Sequence, residues 1–399
     1  MKPIALIIPW YGDEIRGGAE QECNYLAHSL TKAGQAVEVF TTCVKDAPSD
    51  RGKNTLKPGE YHESGILVRR FPVREQRDVD SYTASNQRIY DNCFSKDDEK
   101  VYFREDINSP DMCRYIEEHK DDYRTFIFIP YMYGVTFNGS DSVAEKSILI
   151  PCLHDESYAY MDILIDKMNS FRGMIFHAKP EYQLAKKLYG LKTVKAAVLG
   201  EGIDTEWHTE CNAEAFREKF GIRAPFILFA GRKDSGKKAD ELISFYLRFR
   251  EEEPGTELKL VMLGGGSLPV EIPERYKDDV IDLGFVSVED KHNAFAACTI
   301  FCNPSYFESF SLVIMESWLA KRPVIVSEHC AVTTNFALET NGGLWYNNYE
   351  EFSECVKYLL GHEDVCRKMG ENGSEYVLSH FTHEKIAENY LNFISELGL

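Results

Sequence analysis

The chain is 399 residues long, with 44% hydrophobic, 13% aromatic and 27% charged residues. This is a globular composition that excludes disorder, collagen and coiled coil for the whole and suggests two domains or three. The formal net charge of −19 argues against nucleic acid as the main partner, because that ligand needs a basic face. No run of about 18 apolar residues occurs, so no transmembrane helix is expected. The N-terminus reads as a first strand rather than a signal peptide, with acidic residues following a short apolar core. The 11 cysteines include no CxxC pair, which suggests reduced thiols in a cytoplasmic protein.

In chain order, short Val-, Ile- and Phe-rich runs predict strands at Ile4–Pro9, Ala36–Thr42, Ile66–Val73, Thr125–Pro130, Ser147–Leu153 and Gly173–His177. A second series follows at Phe226–Ala230, Leu258–Leu263, Val280–Leu283, Thr299–Asn303 and Pro323–Ser327. Several lack polar alternation, as parallel strands buried on both faces do. Amphipathic helices are expected between them, for example over Ala19–Ala33 and Ser309–Ala320. Strand–helix alternation repeated twice gives an α/β chain of two doubly wound, Rossmann-like domains. The boundary is expected near Gly200–Gly202, which gives an N-terminal domain over 1–200 and a C-terminal domain over 201–379. Residues 44–64 and 75–110 are polar and poorly periodic, and read as loops and short helices inserted in the first domain. A final helix is expected from about Glu384 to Leu397.

Residues 1–199 sum to −4 and the remainder to −15. Within the first half, Arg69, Arg70, Arg74 and Arg77 form a locally basic stretch. It reads either as a solvated loop or as a surface for an acceptor or a membrane. Asp78 and Asp80 have the spacing of a metal–nucleotide motif, but no apolar strand precedes them.

Four groups of residues carry the chemistry. Gly17 and Gly18 open a helix directly after the first strand, where glycine lets a ligand approach and free N–H groups face an anion; a simple turn is the plain alternative. Arg232 and Lys237 follow the Phe226–Ala230 strand at the carboxyl edge where α/β sheets bind ligands. Two cations there suit a diphosphate; otherwise they are surface charge, as Lys233 and Lys238 beside them are taken to be. Glu308 and Glu316 flank a helix start near Ser309, Phe310, Ser311 and Leu312, whose backbone N–H groups would face the same crevice. A carboxylate accepts two hydroxyls, so one suits a sugar and the other a ribose. His154, beside Asp155 and Glu156, lies at the end of an apolar strand. Those three neighbours do not make a metal site, because adjacent strand residues point opposite ways.

Taken together, the ordered blocks GG, HDE, VLGEGID, AGRKDSGKK, LVMLGGGS, NPSYFESFSLVIMES and PVIVS span nearly the whole chain. The set resembles the retaining glycosyltransferases of family four, which have the GT-B fold: two Rossmann-like doubly wound domains facing across a cleft. The resemblance implies that the donor is a nucleotide-diphosphate sugar, with a UDP-sugar favoured over a GDP-sugar, and that the acceptor is a hydroxyl of a glycan, glycolipid or small molecule. It implies that Arg232 and Lys237 hold the diphosphate, Glu308 the transferred sugar and Glu316 the ribose. By the same resemblance His154 faces the sugar, Gly18 allows approach to the phosphates, and the base is read partly by backbone groups near Phe285–Val286. A helix over about 380–399 is expected to pack back on the first domain. The family commonly has glycine where this chain has Ser311. No metal and no separate cofactor are expected, since a nucleoside diphosphate is already a stable leaving group that cations and a helix terminus can stabilise. The rival readings are a nucleotide-sugar epimerase and a non-catalytic nucleotide-sugar-binding protein on the same fold.

Overall fold

A computed structural model describes residues 2–12 and 17–399. The chain divides into two units, Met1–Gly202 with His383–Leu399, and Ile203–Thr382. Residues 201 and 202 therefore go with the first unit and 380–382 with the second.

Among the described residues the first unit carries an eight-stranded sheet. Its strands are β1 (Ile4–Ile7), β2 (Val37–Thr42), β3 (Gly59–Glu63), β4 (Ile66–Phe71), β5 (Thr125–Phe128), β6 (Ser147–Leu149), β7 (Gly173–Phe176) and β8 (Lys195–Val198). The spatial order is β3-β4-β2-β1-β5-β6-β7-β8. All neighbours pair parallel except β3 with β4. Strands β1, β5 and β7 are buried along their whole length, which explains their unbroken apolar runs. The edge strand β3, GEYHE, was expected to be loop. It is mostly exposed and polar, so it carries no apolar signal.

The polar stretch after residue 75 holds two full helices, Val79–Tyr90 and Lys96–Glu105. Asp78 caps the first of them, accepting from the Ser81 backbone N–H at 3.0 Å and its hydroxyl at 2.7 Å. Asp78 is thus the N-cap of this helix, with Asp80 in its first turn. The arginine stretch is likewise not an open basic surface. Arg69 pairs with Glu38 at 2.7 Å and with Glu60, Arg70 with Glu63, and Arg74 with Glu105 at 2.7 Å, while Arg77 lies 3.9 Å from Asp50.

The last helix, His383–Glu396, packs on the first, Gly18–Lys32. Ser29 Oγ lies 2.8 Å from His383 Nδ1, and the Tyr390 hydroxyl donates to the Gly200 carbonyl at 3.2 Å.

Among the described residues the second unit has six parallel strands: β9 (Phe226–Ala230), β10 (Lys259–Leu263), β11 (Val280–Gly284), β12 (Ile300–Asn303), β13 (Val324–Ser327) and β14 (Gly343–Tyr346). Their order is β11-β10-β9-β12-β13-β14. The chain therefore winds one way from β9 to β11 and the other way from β12 to β14. The switch lies between β9 and β12, and open α/β sheets bind ligands outside the carboxyl ends of the strands at such a point. A core of Ile227, Phe229, Leu242, Tyr246, Met262 and Phe352, each at most 2% exposed, fixes the sheet beneath it.

Candidate donor site

The loop after β9 and the loop after β12 leave the sheet on either side of this switch. Lys233 ties the floor together. Its ammonium donates to the Gly264 carbonyl beyond β10 and to Asp282 Oδ1 on β11 at 2.8 Å, and Asp282 also accepts the Gly284 N–H at 2.9 Å. Lys233 is only 4% exposed, so the expectation that it is surface charge is corrected: it is a buried strut. The loops pack closely, because a Cβ on Gly264 would lie 2.1 Å from the Gly231 carbonyl oxygen. Glycine there also meets the backbone demand of φ +111°.

Above this floor, Asp234 organises both cations assigned from sequence. Its Oδ1 accepts the Lys237 backbone N–H at 3.0 Å, and its Oδ2 lies 3.4 Å from Arg232 Nε. The Arg232 side chain is 75% exposed. Lys237 Nζ lies 2.8 Å from Glu308 Oε1, so a cation of one loop meets a carboxylate of the other. Lys238 lies instead over the Tyr306 ring, 4.3 Å from its centroid.

Asn303, at the end of β12, sets the second loop. Its side-chain oxygen accepts the Ser305 N–H at 3.1 Å, while its amide donates to Ser311 Oγ at 2.8 Å and toward Glu308 at 3.4 Å. Ser311 caps the helix Leu312–Leu319 with φ +88°, a left-handed conformation that favours glycine. Phe310 is 1% exposed and packs edge-on against Phe336 and Phe381. Its side chain belongs to the core, so only its backbone is available for the role expected of it. Ser309 and Leu312 are half-buried, and the first turn of any helix offers N–H groups without intrahelical acceptors.

Glu316, two turns on, is buried. Its Oε1 lies 2.5 Å from Lys291 Nζ, and its Oε2 has no hydrogen-bond partner among the described residues. Lys291 sits on the helix Val288–Ala297, next to Asp290, which pairs with Lys219 at 2.7 Å and accepts the Ser287 hydroxyl at 2.7 Å. Val286 lies half-buried in the turn just before that helix, beside the exposed Phe285. Sequence reasoning missed Asn303, Asp234 and Lys291. Asn303 at a strand end was the only one with a local signal.

In the first unit, Gly17 is the cap of the helix Gly18–Lys32. A Cβ on Gly17 would lie 1.8 Å from the Glu20 carboxylate, whereas one on Gly18 would meet nothing within 4 Å. His154 lies five residues past β6, with Nδ1 3.4 Å from Glu156 Oε1. Asp155 is bound by the Tyr160 hydroxyl at 2.6 Å.

Residues 212–376, nearly the whole of the second unit, match the family described as Glycosyl transferases group 1. An N-acetylgalactosaminyltransferase of Campylobacter jejuni that acts on a diphospho-undecaprenol-linked sugar is 29% identical over 213 residues, 52% of this chain and 55% of that protein. The chain spans about half the length of the curated relatives it matches first. Sucrose-phosphate synthase from Thermosynechococcus elongatus shares the fold with a TM-score of 0.69 at 17% identity, over 100% of this chain and 99% of that one. HepE of Anabaena, solved in complex with UDP, does so with a TM-score of 0.68 at 12% identity, over 99% and 100%. The second unit thus carries a match to the group 1 glycosyl transferases, and the chain shares its fold with GT-B glycosyltransferase structures.

Proposed function

We propose that the chain transfers a sugar from a nucleotide-diphosphate sugar, a UDP-sugar before a GDP-sugar, to a hydroxyl acceptor. The anomeric configuration is retained and the reaction needs no metal. One observation carries this reading: Arg232, Lys237, Glu308, the helix start at Ser311–Leu312 and Glu316 all follow β9 and β12 on either side of the switch point. Two cations and a helix N-terminus suit a diphosphate leaving group. The buried Glu316 Oε2 suits a ribose hydroxyl, which would donate to it. HepE, of the same fold, was solved with UDP, which supports the choice of base.

Glu308 already faces Lys237, so it is assigned to hold the sugar rather than to attack it. The departing phosphate oxygen accepts the proton of the acceptor hydroxyl on the same face, and no carboxylate pair for double displacement is needed. His154 is included among the residues required for transfer. The eleven cysteines are free thiols, which supports a cytoplasmic setting. Among the described residues no helix is long and apolar enough to cross a membrane.

A thermal-shift screen of UDP-, GDP-, ADP- and dTDP-sugars tests the reading. Ligand at 100 times its dissociation constant stabilises by about 2.7 kcal/mol. The product anomer formed from the stabilising donor, read by NMR with EDTA added at the start of the assay, checks retention and metal independence. No shift with any nucleotide sugar, an altered donor sugar without acceptor, or activity restored only by magnesium or manganese would each overturn its part.

A further inference from the structure

The first unit holds a second cluster that the transfer reading does not use. Glu22 lies on the helix Gly18–Lys32, Cys152 in the loop after β6, and His177 just past β7. Glu22 and His177 are 3% and 1% exposed, and Cys152 is half-buried. His177 Nε2 lies 2.5 Å from Glu22 Oε1, and Cys152 Sγ lies 3.3 Å from Glu22 Oε2. One ligand atom from each of the three falls within 4.8 Å of the others.

We propose that Glu22, Cys152 and His177 form a three-ligand site for a zinc-type divalent ion, with the fourth position left to a solvent ligand. A thiolate, an imidazole and a carboxylate make a mixed S/N/O set of the kind zinc takes, rather than the all-oxygen set of calcium or magnesium. With bonds of about 2.0–2.3 Å, a tetrahedral ion holds its ligand atoms about 3.3–3.8 Å apart. The 3.3 Å between Cys152 Sγ and Glu22 Oε2 lies at the edge of that range, whereas His177 Nε2 meets the other oxygen, Oε1. The imidazole and Glu22 must part by about 1 Å to admit the ion between them.

The outer shell points the same way. A ligating histidine characteristically turns its other ring nitrogen to a carboxylate. His177 Nδ1 faces Glu201 at 3.7 Å and Glu181 at 3.8 Å. Glu181 is itself held by the backbone N–H groups of Leu153, at 2.7 Å, and of His177, at 2.6 Å. One carboxylate thus fixes the residue after Cys152 and His177 together. Cys152 adopts φ +51°, a left-handed conformation uncommon for a residue with a side chain and associated with functional positions. Binding releases the thiol proton, and any proton on Nε2, to solvent, with no change of oxidation state. The ion offsets the charges of the thiolate and the Glu22 carboxylate, while Glu181 and Glu201 remain as buried carboxylates behind His177.

The test uses the full chain expressed in zinc-supplemented medium. Native mass spectrometry is expected to show one zinc per chain. Exchange with Co²⁺ is expected to give a sulfur-to-cobalt charge-transfer band that is lost in Cys152→Ser and kept in Cys93→Ser, whose thiol is exposed. Glu201→Gln is expected to weaken the ion by about 10–100-fold. Should Cys152→Ser not fold, alkylation of the wild type decides: zinc should shield Cys152 and not Cys93. Absence of stoichiometric metal, a cobalt band indifferent to Cys152, or equal alkylation of Cys152 with and without zinc would each overturn the site and leave a hydrogen-bonded cluster of protons alone.

Discussion

Lys237 Nζ and Glu308 Oε1, 71 positions apart in sequence, meet at 2.8 Å and so join the two loops that flank the switch between β9 and β12. A diphosphate arriving there competes with the carboxylate for the ammonium. It can take Lys237 without leaving Glu308 isolated, because Asn303 also approaches Glu308.

Lys237→Ala is expected to weaken binding of the nucleoside diphosphate by roughly 10–100-fold, the loss of one charge-assisted hydrogen bond of about 1.5–3 kcal/mol. Arg232→Lys is expected to fall short of the parent, since an ammonium cannot reproduce the planar fork. Lys238→Ala is the matched control, expected to change affinity by no more than about 2-fold. Lys233→Ala cannot serve that purpose. It removes the strut between Gly264 and Asp282 and should lower the melting temperature first. Calorimetry at fixed ionic strength decides, and equal losses in Lys237→Ala and Lys238→Ala would leave only a diffuse basic loop.

A second division follows from the glutamates. Glu316→Ala is expected to weaken both free nucleoside diphosphate and nucleotide sugar, whereas Glu308→Ala should mainly impair the sugar-bearing ligand. Lys291, 2.5 Å from Glu316, adds a third variant. Lys291→Met leaves a buried carboxylate without its cation. It should weaken nucleoside diphosphate by roughly 10-fold while changing the ratio between the two ligands little. Parallel titrations with both ligands test this, and a Glu308→Ala loss as large for the free nucleotide as for the nucleotide sugar would sink the assignment.

The helix that delivers Lys291 is anchored by Asp290, whose carboxyl is held below its ordinary range by the Lys219 ammonium and the Ser287 hydroxyl. A depressed folded-state value means that the contribution to stability is present above the unfolded value, about 3.9, and disappears as pH falls through the folded one. Asp290→Asn should therefore melt earlier than the parent at pH 7, with the gap closing below about pH 4. Melting curves across pH 3 to 7 check it. A gap that is unchanged at pH 3 would point to packing rather than charge.

How much of this was legible differs by element. Strands β9 and β12 announce themselves because burial on both faces demands unbroken apolar runs. GEYHE does not, because an exposed edge strand has no such demand. GLWY at β14 is four residues long, opens on glycine and leaves its tryptophan partly exposed, so it too resembles loop. The three lysines 233, 237 and 238 are chemically alike in sequence. Only Asp282, Glu308 and Tyr306, brought in from 49 to 71 positions away, distinguish strut, clamp candidate and surface group. The Glu22–His177 pairing spans 155 positions, and no local pattern encodes it.

Ser311 offers the sharpest test of the loop, because two effects oppose each other there. At φ +88° a side chain costs about 1–2 kcal/mol relative to glycine, while the hydrogen bond from Asn303 at 2.8 Å returns about 0.5–1.5 kcal/mol. Ser311→Gly loses the bond and relieves the backbone, so its stability should stay near that of the parent. Ser311→Ala loses the same bond, leaves the same amide proton of the buried Asn303 short of an acceptor, and keeps the backbone cost. The glycine variant should therefore be the more stable of the two by about 1 kcal/mol, or about 2–4 °C in melting temperature for a unit of this size. It should also keep its affinity for nucleoside diphosphate, since the helix N–H groups belong to the backbone. Melting curves of the two variants, with and without ligand, give the answer. An alanine variant as stable as the glycine variant would show that the left-handed turn costs nothing here.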